Sequence, residues 1–301
     1  RSQRHRGAGP FRGSTHAMSI ESVEIPAANP DGHSFQLIAR IPGQPTASLL
    51  WLPALGVAAR HYLPLADALA ARGVAVFLHE MRGNGSSMLR ASRTVDWGYR
   101  EILADIASSH AAMAGHCEAS TRVIGGHSIG AQFAACHMGL HPGAFQQLWL
   151  VASGSPYWRT FPAPKRYVFP FAYQFVAWLA ERRGTLPGRQ LGFGGDEARS
   201  LMREWARVGL SNRYAADGLE TNLEVALRTV EADVRAVLLD RDWFAPRRSM
   251  QALLDKLPRS LPALTTLDSK SLGTHADHFA WMKQPDAVVD VLLSERPQSL
   301  A

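Results

Sequence analysis

The sequence predicts an α/β fold, in which a mostly parallel central sheet is flanked by helices and one long segment is inserted. Short continuous apolar runs recur along the chain and alternate with stretches whose apolar residues have helical spacing. Two segments in which apolar and polar residues alternate precede these runs. Residues 155–232 separate two of the runs by far more than an ordinary connection. Together these observations favour a sheet core with a smaller unit inserted into it.

The strands of this core are expected in a definite order. Residues 20–25 and 34–41 alternate in polarity and flank an Asn-Pro-Asp-Gly turn, which predicts a leading antiparallel hairpin. Continuous apolar runs are typical of parallel strands that are buried on both faces. Such runs occupy residues 48–52, 74–78, 122–124, 148–151, 234–239 and 263–267.

The inserted segment is rich in aromatic residues in its first part. We interpret residues 18–154 and 233–301 as the core and residues 155–232 as a cap over it. Trp158 and Phe171 of this segment, together with Trp243, are candidates for a substrate pocket. The alternative is that the aromatic side chains pack only within the insertion.

Composition and charge exclude several classes of protein. The formal net charge of the 301 residues is +6, but residues 1–17 carry four arginines and no acid. We interpret residues 1–17 as a vector-derived or disordered tail, so the charge does not indicate a nucleic-acid partner. Neither a signal peptide nor a membrane span is apparent, which favours a cytoplasmic protein. Cys117 and Cys136 lack metal-site spacing and are expected to be reduced thiols.

The most specific motif is Gly126-His127-Ser128-Ile129-Gly130, which lies between an apolar run and a helical stretch. This G-x-S-x-G pattern is typical of a strained turn that exposes a nucleophilic serine. Glycine is required two residues before and after the serine because side chains there would collide. The motif predicts Ser128 as a nucleophile, with His127 lining the pocket or the core.

A serine nucleophile also needs donors for the oxyanion that forms during its attack. One is expected to be the backbone N–H of Ile129, which follows the nucleophile at the start of a helix. The other should come from the loop after residues 48–52, which reads Pro-Ala-Leu-Gly. We favour Leu55, with Ala54 as the alternative.

The acid and the base should follow the serine in the order Ser, Asp, His. Residues 234–239 are followed by Asp240 and Asp242, and we favour Asp242 because an apolar pair and then a proline follow it. His275 and His278 precede the last helix, which is expected to begin near Pro285. The spacing from that proline favours His278, with His275 as the alternative.

These motifs resemble the α/β-hydrolase superfamily over nearly the whole chain from Met18. A further match is the stretch Glu-Met-Arg-Gly-Asn-Gly-Ser-Ser at residues 80–87, although Asp is commoner than Glu at its first position. The chain is also similar to an uncharacterised bacterial family of predicted α/β hydrolases. The segments that carry this similarity are residues 54–57 with Tyr62, residues 157–159, residues 186–188 with 191–192, and residues 204–207 and 278–283.

The resemblance implies a serine hydrolase with an inserted helical cap and a catalytic triad of Ser128, Asp242 and His278. We expect a carboxylic ester or thioester of a small hydrophobic acyl substrate, cleaved without metal or organic cofactor. Two alternatives are acyl transfer on the same triad and noncatalytic ligand binding. The sequence leaves the oligomeric state and the physiological substrate open.

Overall fold

A computed structural model describes residues 19–294, so the predicted tail at residues 1–17 lies outside the described residues. The strands are β1 (Ile20–Ala28), β2 (Ser34–Pro42), β3 (Ala47–Leu52), β4 (Val74–Leu78), β5 (Thr121–His127), β6 (Gln147–Val151), β7 (Thr185–Pro187), β8 (Asp196–Ala198), β9 (Asp233–Leu239) and β10 (Leu261–Leu267). The α-helices are α1 (Leu63–Ala70), α2 (Tyr99–Ala114), α3 (Ile129–Leu140), α4 (Lys165–Arg183), α5 (Gly188–Leu191), α6 (Arg199–Ser211), α7 (Leu223–Arg228), α8 (Arg247–Leu254), α9 (Ser269–Leu272) and α10 (Asp286–Leu293). Short 3₁₀ helices span Ala59–Tyr62, Trp158–Thr160 and Ala280–Lys283.

The main sheet has eight strands in the order β1-β2-β4-β3-β5-β6-β9-β10. β1 pairs antiparallel with β2, and β2 pairs antiparallel with β4. All the following pairs, from β4·β3 to β9·β10, are parallel. This confirms the predicted α/β class with its mostly parallel sheet, and each predicted apolar run lies within one of these strands.

Helices cover both faces of the sheet. α1 and α10 pack on one face, where Leu65, Leu69 and Val288 are buried among side chains of the central strands. α2, α3 and α8 cover the other face, where Ile106, Phe133 and other apolar side chains are buried. Burial of both faces explains why the central strands are apolar without interruption.

The segment between β6 and β9 contains α4 to α7 and a second sheet, the antiparallel pair β7·β8. α4 and α6 pack against each other, and the Tyr173 ring lies over Gly209 so closely that a Cβ there would come within 2.6 Å of it. α7 packs instead on α3 of the core, where a Cβ on Gly139 would lie 2.7 Å from the Ala226 backbone. The insertion is therefore anchored to the core at its C-terminal end.

The stretch that follows β4 ties loops together through buried charged side chains. Arg82 donates to both carboxylate oxygens of Asp105, from Nε at 2.6 Å and from Nη2 at 2.9 Å. Glu80 accepts from Ala59 N–H at 3.0 Å and from Ser86 N–H at 3.2 Å. The glutamate at position 80 thus bridges two loops. Its carboxylate lies against Gly85, where a Cβ would come within 1.9 Å of it.

Candidate active site

Ser128 stands at the sharp turn between β5 and α3. Its backbone has φ 56° and ψ −124°, a strained conformation for a residue other than glycine. The turn is held by two hydrogen bonds, because Ser128 N–H donates to Val151 O at 3.1 Å and Ser153 Oγ donates to Ser128 O at 2.6 Å. The strain is therefore maintained by the neighbouring strand β6 and the residues that follow it.

The two glycines of the motif are required by close backbone packing. A Cβ on Gly126 would lie 2.6 Å from the Gly130 carbonyl carbon, and a Cβ on Gly130 would lie 2.3 Å from Leu52 O. Real Cβ atoms do not approach backbone atoms this closely, so a side chain at either position would displace the turn. The turn thus lies directly against the end of β3, where the oxyanion donors were predicted.

The backbone donors predicted for the oxyanion belong to the start of α3 and to the loop after β3. Ile129 is the first residue of α3, so its N–H has no acceptor within the helix. Ala54 N–H donates to Tyr62 Oη at 2.9 Å. Leu55, in contrast, lines the same cavity as Ser128 and Ile129. The Ala54 donor is therefore engaged elsewhere, which favours Leu55 among the two predicted alternatives.

Tyr62 connects this loop to the serine turn. Its hydroxyl accepts from Ala54 N–H and lies 2.8 Å from His127 Nδ1. Burial raises the pKa of Tyr62, and burial together with the nearby His278 lowers the pKa of His127 well below its ordinary value. The phenol therefore keeps its proton, and its O–H donates a hydrogen bond to Nδ1 of a neutral His127, whose own proton is then on Nε2.

Asp242 and His278 form a buried pair in which Asp242 Oδ2 lies 2.7 Å from His278 Nδ1. Both residues are only 6% exposed. The other oxygen, Oδ1, accepts from Phe244 N–H at 2.8 Å and from Ala245 N–H at 3.3 Å. The carboxylate is thus fixed by its own loop and oriented toward the imidazole, as a histidine base requires.

The predicted alternatives for the acid and the base lie outside the Asp242–His278 pair. Asp240 and His275 are both exposed to solvent. The His278 ring, in contrast, packs against the ring of His127 with centroids 4.7 Å apart, beside the serine turn. Of the four candidates, only Asp242 and His278 are therefore brought together next to Ser128.

A cavity of about 320 Å³ opens at Ser128. Aromatic and aliphatic side chains dominate its wall, and its polar groups are few. Among the described residues, its lining contains no carboxylate and no cationic side chain. The lining residues are Leu55, Ser128, Ile129, Gln132, Ala152, Ser153, Gly154, Pro156, Phe161, Phe169, Ala172, Tyr173, Val176, Leu191, Phe193, Trp205, Trp243, Phe244, Ala245 and Ser249.

The predicted pocket residues have different positions. Trp243 lines the cavity, as expected. Trp158 and Phe171 are not among the described lining residues, and Phe171 is 73% exposed. The reason is helical geometry: positions 169, 172, 173 and 176 share the inner face of α4, and position 171 lies on its outer face. The expectation that Trp158 and Phe171 belong to the pocket at Ser128 is therefore wrong, and that for Trp243 is right.

The sequence gives no indication of Glu197 in this region, and it indicates Tyr62 only through the family similarity, without a role at the site. Glu197, on β8, is 3% exposed and accepts from Gly195 N–H at 2.7 Å. Gly195 packs on Gly56 of the loop after β3, where a Cβ would lie 2.1 Å from Gly195 N. Glu197 therefore braces the segment between β6 and β9 against the loop after β3. A single buried carboxylate of this kind has no recognisable sequence motif.

Glu197 is expected to make the protein less stable as the pH rises. Burial raises its pKa from the ordinary 4.5 to about 7, so the folded state retains a proton that the unfolded chain loses. The free energy of unfolding should fall as the pH rises from 4.5 to about 7 and should change little at higher pH. Glu197→Gln keeps an acceptor for Gly195 and should therefore raise the free energy of unfolding at pH 8 by about 2–3 kcal/mol.

Urea unfolding at pH 4 and pH 8 measures this effect. The gain from Glu197→Gln should nearly vanish at pH 4, where the carboxyl is protonated in the folded state and largely so in the unfolded state. Asp196→Asn, at the exposed neighbouring position, is the matched control and should change stability by less than about 0.5 kcal/mol at either pH. An equal effect of Glu197→Gln at both pH values would contradict the proposed titration.

The described residues contain no helix that is long and apolar enough to cross a membrane. Within residues 19–294 there is also no cluster of three or more His, Cys, Asp or Glu side chains arranged to hold a metal ion.

Comparison with known proteins identifies the family to which the chain belongs. The family model described as serine aminopeptidase, S33, matches residues 43–237, which is more than half of the chain. No curated protein matches the sequence significantly. Many solved structures share the fold.

DcsB, solved in complex with its substrate analogue, matches with a TM-score of 0.61 and 15% identity over 91% of this chain and 97% of its own. A hydrolase from Pseudomonas aeruginosa PA01 has a TM-score of 0.60 and 14% identity, over 94% and 98% of the two chains. A serine hydrolase involved in carbazole degradation has a TM-score of 0.55 and 16% identity, over 91% and 98%. At these identities the likeness establishes the fold, and the family match adds that the chain belongs to the serine aminopeptidase S33 family of α/β hydrolases.

Proposed function

We propose that this hydrolase cleaves a carboxylic ester or thioester of a small, neutral, hydrophobic acyl group through an acyl-enzyme on Ser128. The observation that carries the proposal is the juxtaposition of a strained serine turn, a buried Asp242–His278 pair and an apolar cavity. A strained serine alone is a poor nucleophile, because its hydroxyl keeps its proton unless a base takes it. The adjoining pair supplies the base that turns its hydroxyl into a nucleophile.

In the proposed first half-reaction, Ser128 Oγ attacks the substrate carbonyl carbon while its proton passes to His278 Nε2. Asp242 holds the proton on Nδ1 and stabilises the imidazolium that forms. The N–H groups of Ile129 and Leu55 bind the oxyanion. When the tetrahedral intermediate collapses, the bond to the alcohol or thiol breaks, and His278 gives that leaving group its proton.

In the second half-reaction, His278 takes a proton from water, and the resulting hydroxide attacks the acyl-enzyme carbonyl. Collapse of the second intermediate releases the acid and returns the proton to Ser128 Oγ. The apolar wall of the cavity limits the number of water molecules that can enter beside Ser128. We propose that residues 155–232 act as the cap, because α4 and α6 supply Phe169, Tyr173 and Trp205 to that wall.

The chemistry of the cavity favours an acyl ester over a peptide N-terminus. Recognition of an α-ammonium group requires a carboxylate, and burying that charge without one is costly. No carboxylate is found among the described lining residues. Gln132 and Ser249 are neutral, and they suit a carbonyl or a hydroxyl.

A series of p-nitrophenyl esters tests this substrate class. We expect kcat/KM to rise from acetate to longer unbranched acyl chains as these fill the cavity. The hemisuccinate, which carries a carboxylate, should be at least about tenfold poorer than the neutral ester of similar length. An aminoacyl p-nitroanilide is the comparison for aminopeptidase activity, and preferential turnover of this amide would contradict the proposal.

Asp242→Asn is expected to lower kcat by about 10³- to 10⁴-fold. Asparagine can still accept from Phe244 N–H, but its amide NH₂ would face His278 Nδ1 and favour the wrong tautomer. Asp240→Asn is the matched control at an exposed position and should change kcat by less than about threefold. Thermal melting of both variants separates loss of chemistry from loss of folding, and the reverse ranking would assign the acid to Asp240.

A further inference from the structure

The outer face of α4 carries an unpartnered apolar stripe. Val168, Phe171, Phe175 and Trp178, which we call the outer stripe, follow one another at intervals of three and four residues and therefore share one face. Tyr167 extends it at its N-terminal end. These five side chains are between 52% and 73% exposed. Contiguous exposure of large apolar side chains on this scale is characteristic of docking surfaces.

The opposite face of the same helix is already occupied. Phe169, Ala172, Tyr173 and Val176 line the cavity over Ser128. The apolar character of α4 on this inner face is therefore explained by the cavity. Nothing within the described part of the chain covers the outer stripe, so its aromatic residues need a separate explanation.

Cationic side chains at both ends of α4 indicate the chemistry of a partner that would cover the outer stripe. Lys165 and Arg166 stand at its N-terminal end, and Arg182 and Arg183 at its C-terminal end. The one acid of the helix, Glu181, lies 3.7 Å from Arg203 and 3.9 Å from Arg199, so cations surround it. The stripe is thus bounded by cationic side chains separated by the length of the helix, roughly 28 Å at 1.5 Å per residue.

The cavity mouth lies at the same surface. Trp243 and Leu191 line the cavity and are also about half exposed. Lys165 Nζ lies 4.3 Å from the centroid of the Trp243 ring, which places this part of the mouth next to the first turn of α4. A surface that bound the outer stripe would therefore lie beside the entrance to the cavity.

We propose that the outer stripe docks on an anionic lipid surface, with α4 lying in the plane of the headgroups. Aromatic and aliphatic side chains would enter the interface between headgroups and acyl chains, and the terminal cations would bind anionic headgroups. A lipid surface offers anionic groups at both ends of a helix of this length at once. This docking goes beyond the proposed catalysis, does not depend on it, and would bring lipid-dissolved acyl esters to the cavity mouth.

Vesicle co-sedimentation of the full chain tests the proposal directly. The probes are vesicles of phosphatidylcholine alone and vesicles with roughly seven parts phosphatidylcholine to three parts phosphatidylserine. We expect binding to the mixed vesicles, and Phe175→Ser/Trp178→Ser should weaken it at least about tenfold. Val225→Ser, at an exposed apolar position on α7, is the matched control and should bind as the wild type does.

Arg182→Glu/Arg183→Glu is the second variant. It should weaken binding to the mixed vesicles and leave binding to phosphatidylcholine nearly unchanged, because it removes only the electrostatic contribution. Residues 1–17 with their arginines are common to every protein compared. Binding caused by that segment would therefore be equal in the wild type and the stripe variant.

Three outcomes would overturn the proposal. The wild type fails to bind mixed vesicles, or Phe175→Ser/Trp178→Ser binds them equally well. In the third outcome, sedimentation velocity shows a wild-type dimer that the stripe variant loses, while vesicles are not bound. That result would assign the outer stripe to a second copy of this chain. Melting curves of each variant establish that it is folded, and none of these readouts requires turnover.

Discussion

Ser128→Ala is expected to lower ester turnover by about 10⁴-fold or more while the protein remains folded. The substitution removes only the hydroxyl and keeps the Cβ, so the backbone hydrogen bonds that hold the turn are unaffected. Oxyanion binding by Ile129 and Leu55 should leave some rate above that of water. The measurements are kcat with a neutral p-nitrophenyl ester and the melting temperature.

The control for this variant is Ser211→Ala on α6, whose hydroxyl donates to Arg207 O at an exposed site. It should turn over the ester at the wild-type rate. Retention of more than about one hundredth of the activity in Ser128→Ala would place the nucleophile elsewhere. A melting temperature lowered by many degrees would instead show that the hydroxyl has a structural role.

His278→Ala is expected to have the second large effect, a loss of about 10⁴-fold or more in kcat. Without the imidazole, Ser128 has no base and Asp242 is left buried without the hydrogen bond from His278 Nδ1. Stability should therefore be measured beside activity, and His278→Gln provides a second variant that can still donate a hydrogen bond to Asp242. Both variants should lose turnover, and the glutamine variant should melt closer to the wild type.

His275→Ala is the matched control, three positions away in the same loop. Its side chain is exposed, so turnover should stay within about threefold of the wild type. If His275→Ala lost turnover and His278→Ala kept it, the base would be His275. The hydrolase assignment would survive that result, because it rests on the family and not on this choice.

The positions of the core strands could be predicted closely, because burial on both faces leaves a continuous apolar run in the sequence. The run at residues 74–78 has the same bounds as β4. β5 extends further than its predicted run because Gly125 and Gly126 interrupt the apolar pattern. Glycine is needed there because a Cβ on Gly125 would lie 2.7 Å from Trp149 O. The strands β7 and β8, with three residues each, are too short for a periodic signal.

The parts of the site that have local motifs could also be predicted, whereas those that depend on long-range packing could not. From the sequence, Asp242 can only be ranked above Asp240, His278 above His275 and Leu55 above Ala54. The contacts that separate these alternatives are the Asp242–His278 hydrogen bond and the hydrogen bond from Ala54 N–H to Tyr62. The sequence shows that Phe171 is aromatic but does not show which face of α4 is covered, so it cannot separate Phe171 from the residues that line the pocket. Only tertiary packing distinguishes the two faces.

The most direct test of the central claim is to locate the covalent adduct of a fluorophosphonate probe. The probe reacts when a serine oxygen attacks phosphorus and fluoride leaves. Trypsin would release residues 123–159 as one peptide, which contains Ser128, Ser153 and Ser155. Fragment-ion spectra of that peptide should place the whole adduct on Ser128. An adduct on Ser153, which also lines the cavity, or a wild-type protein that the probe does not label, would contradict the account.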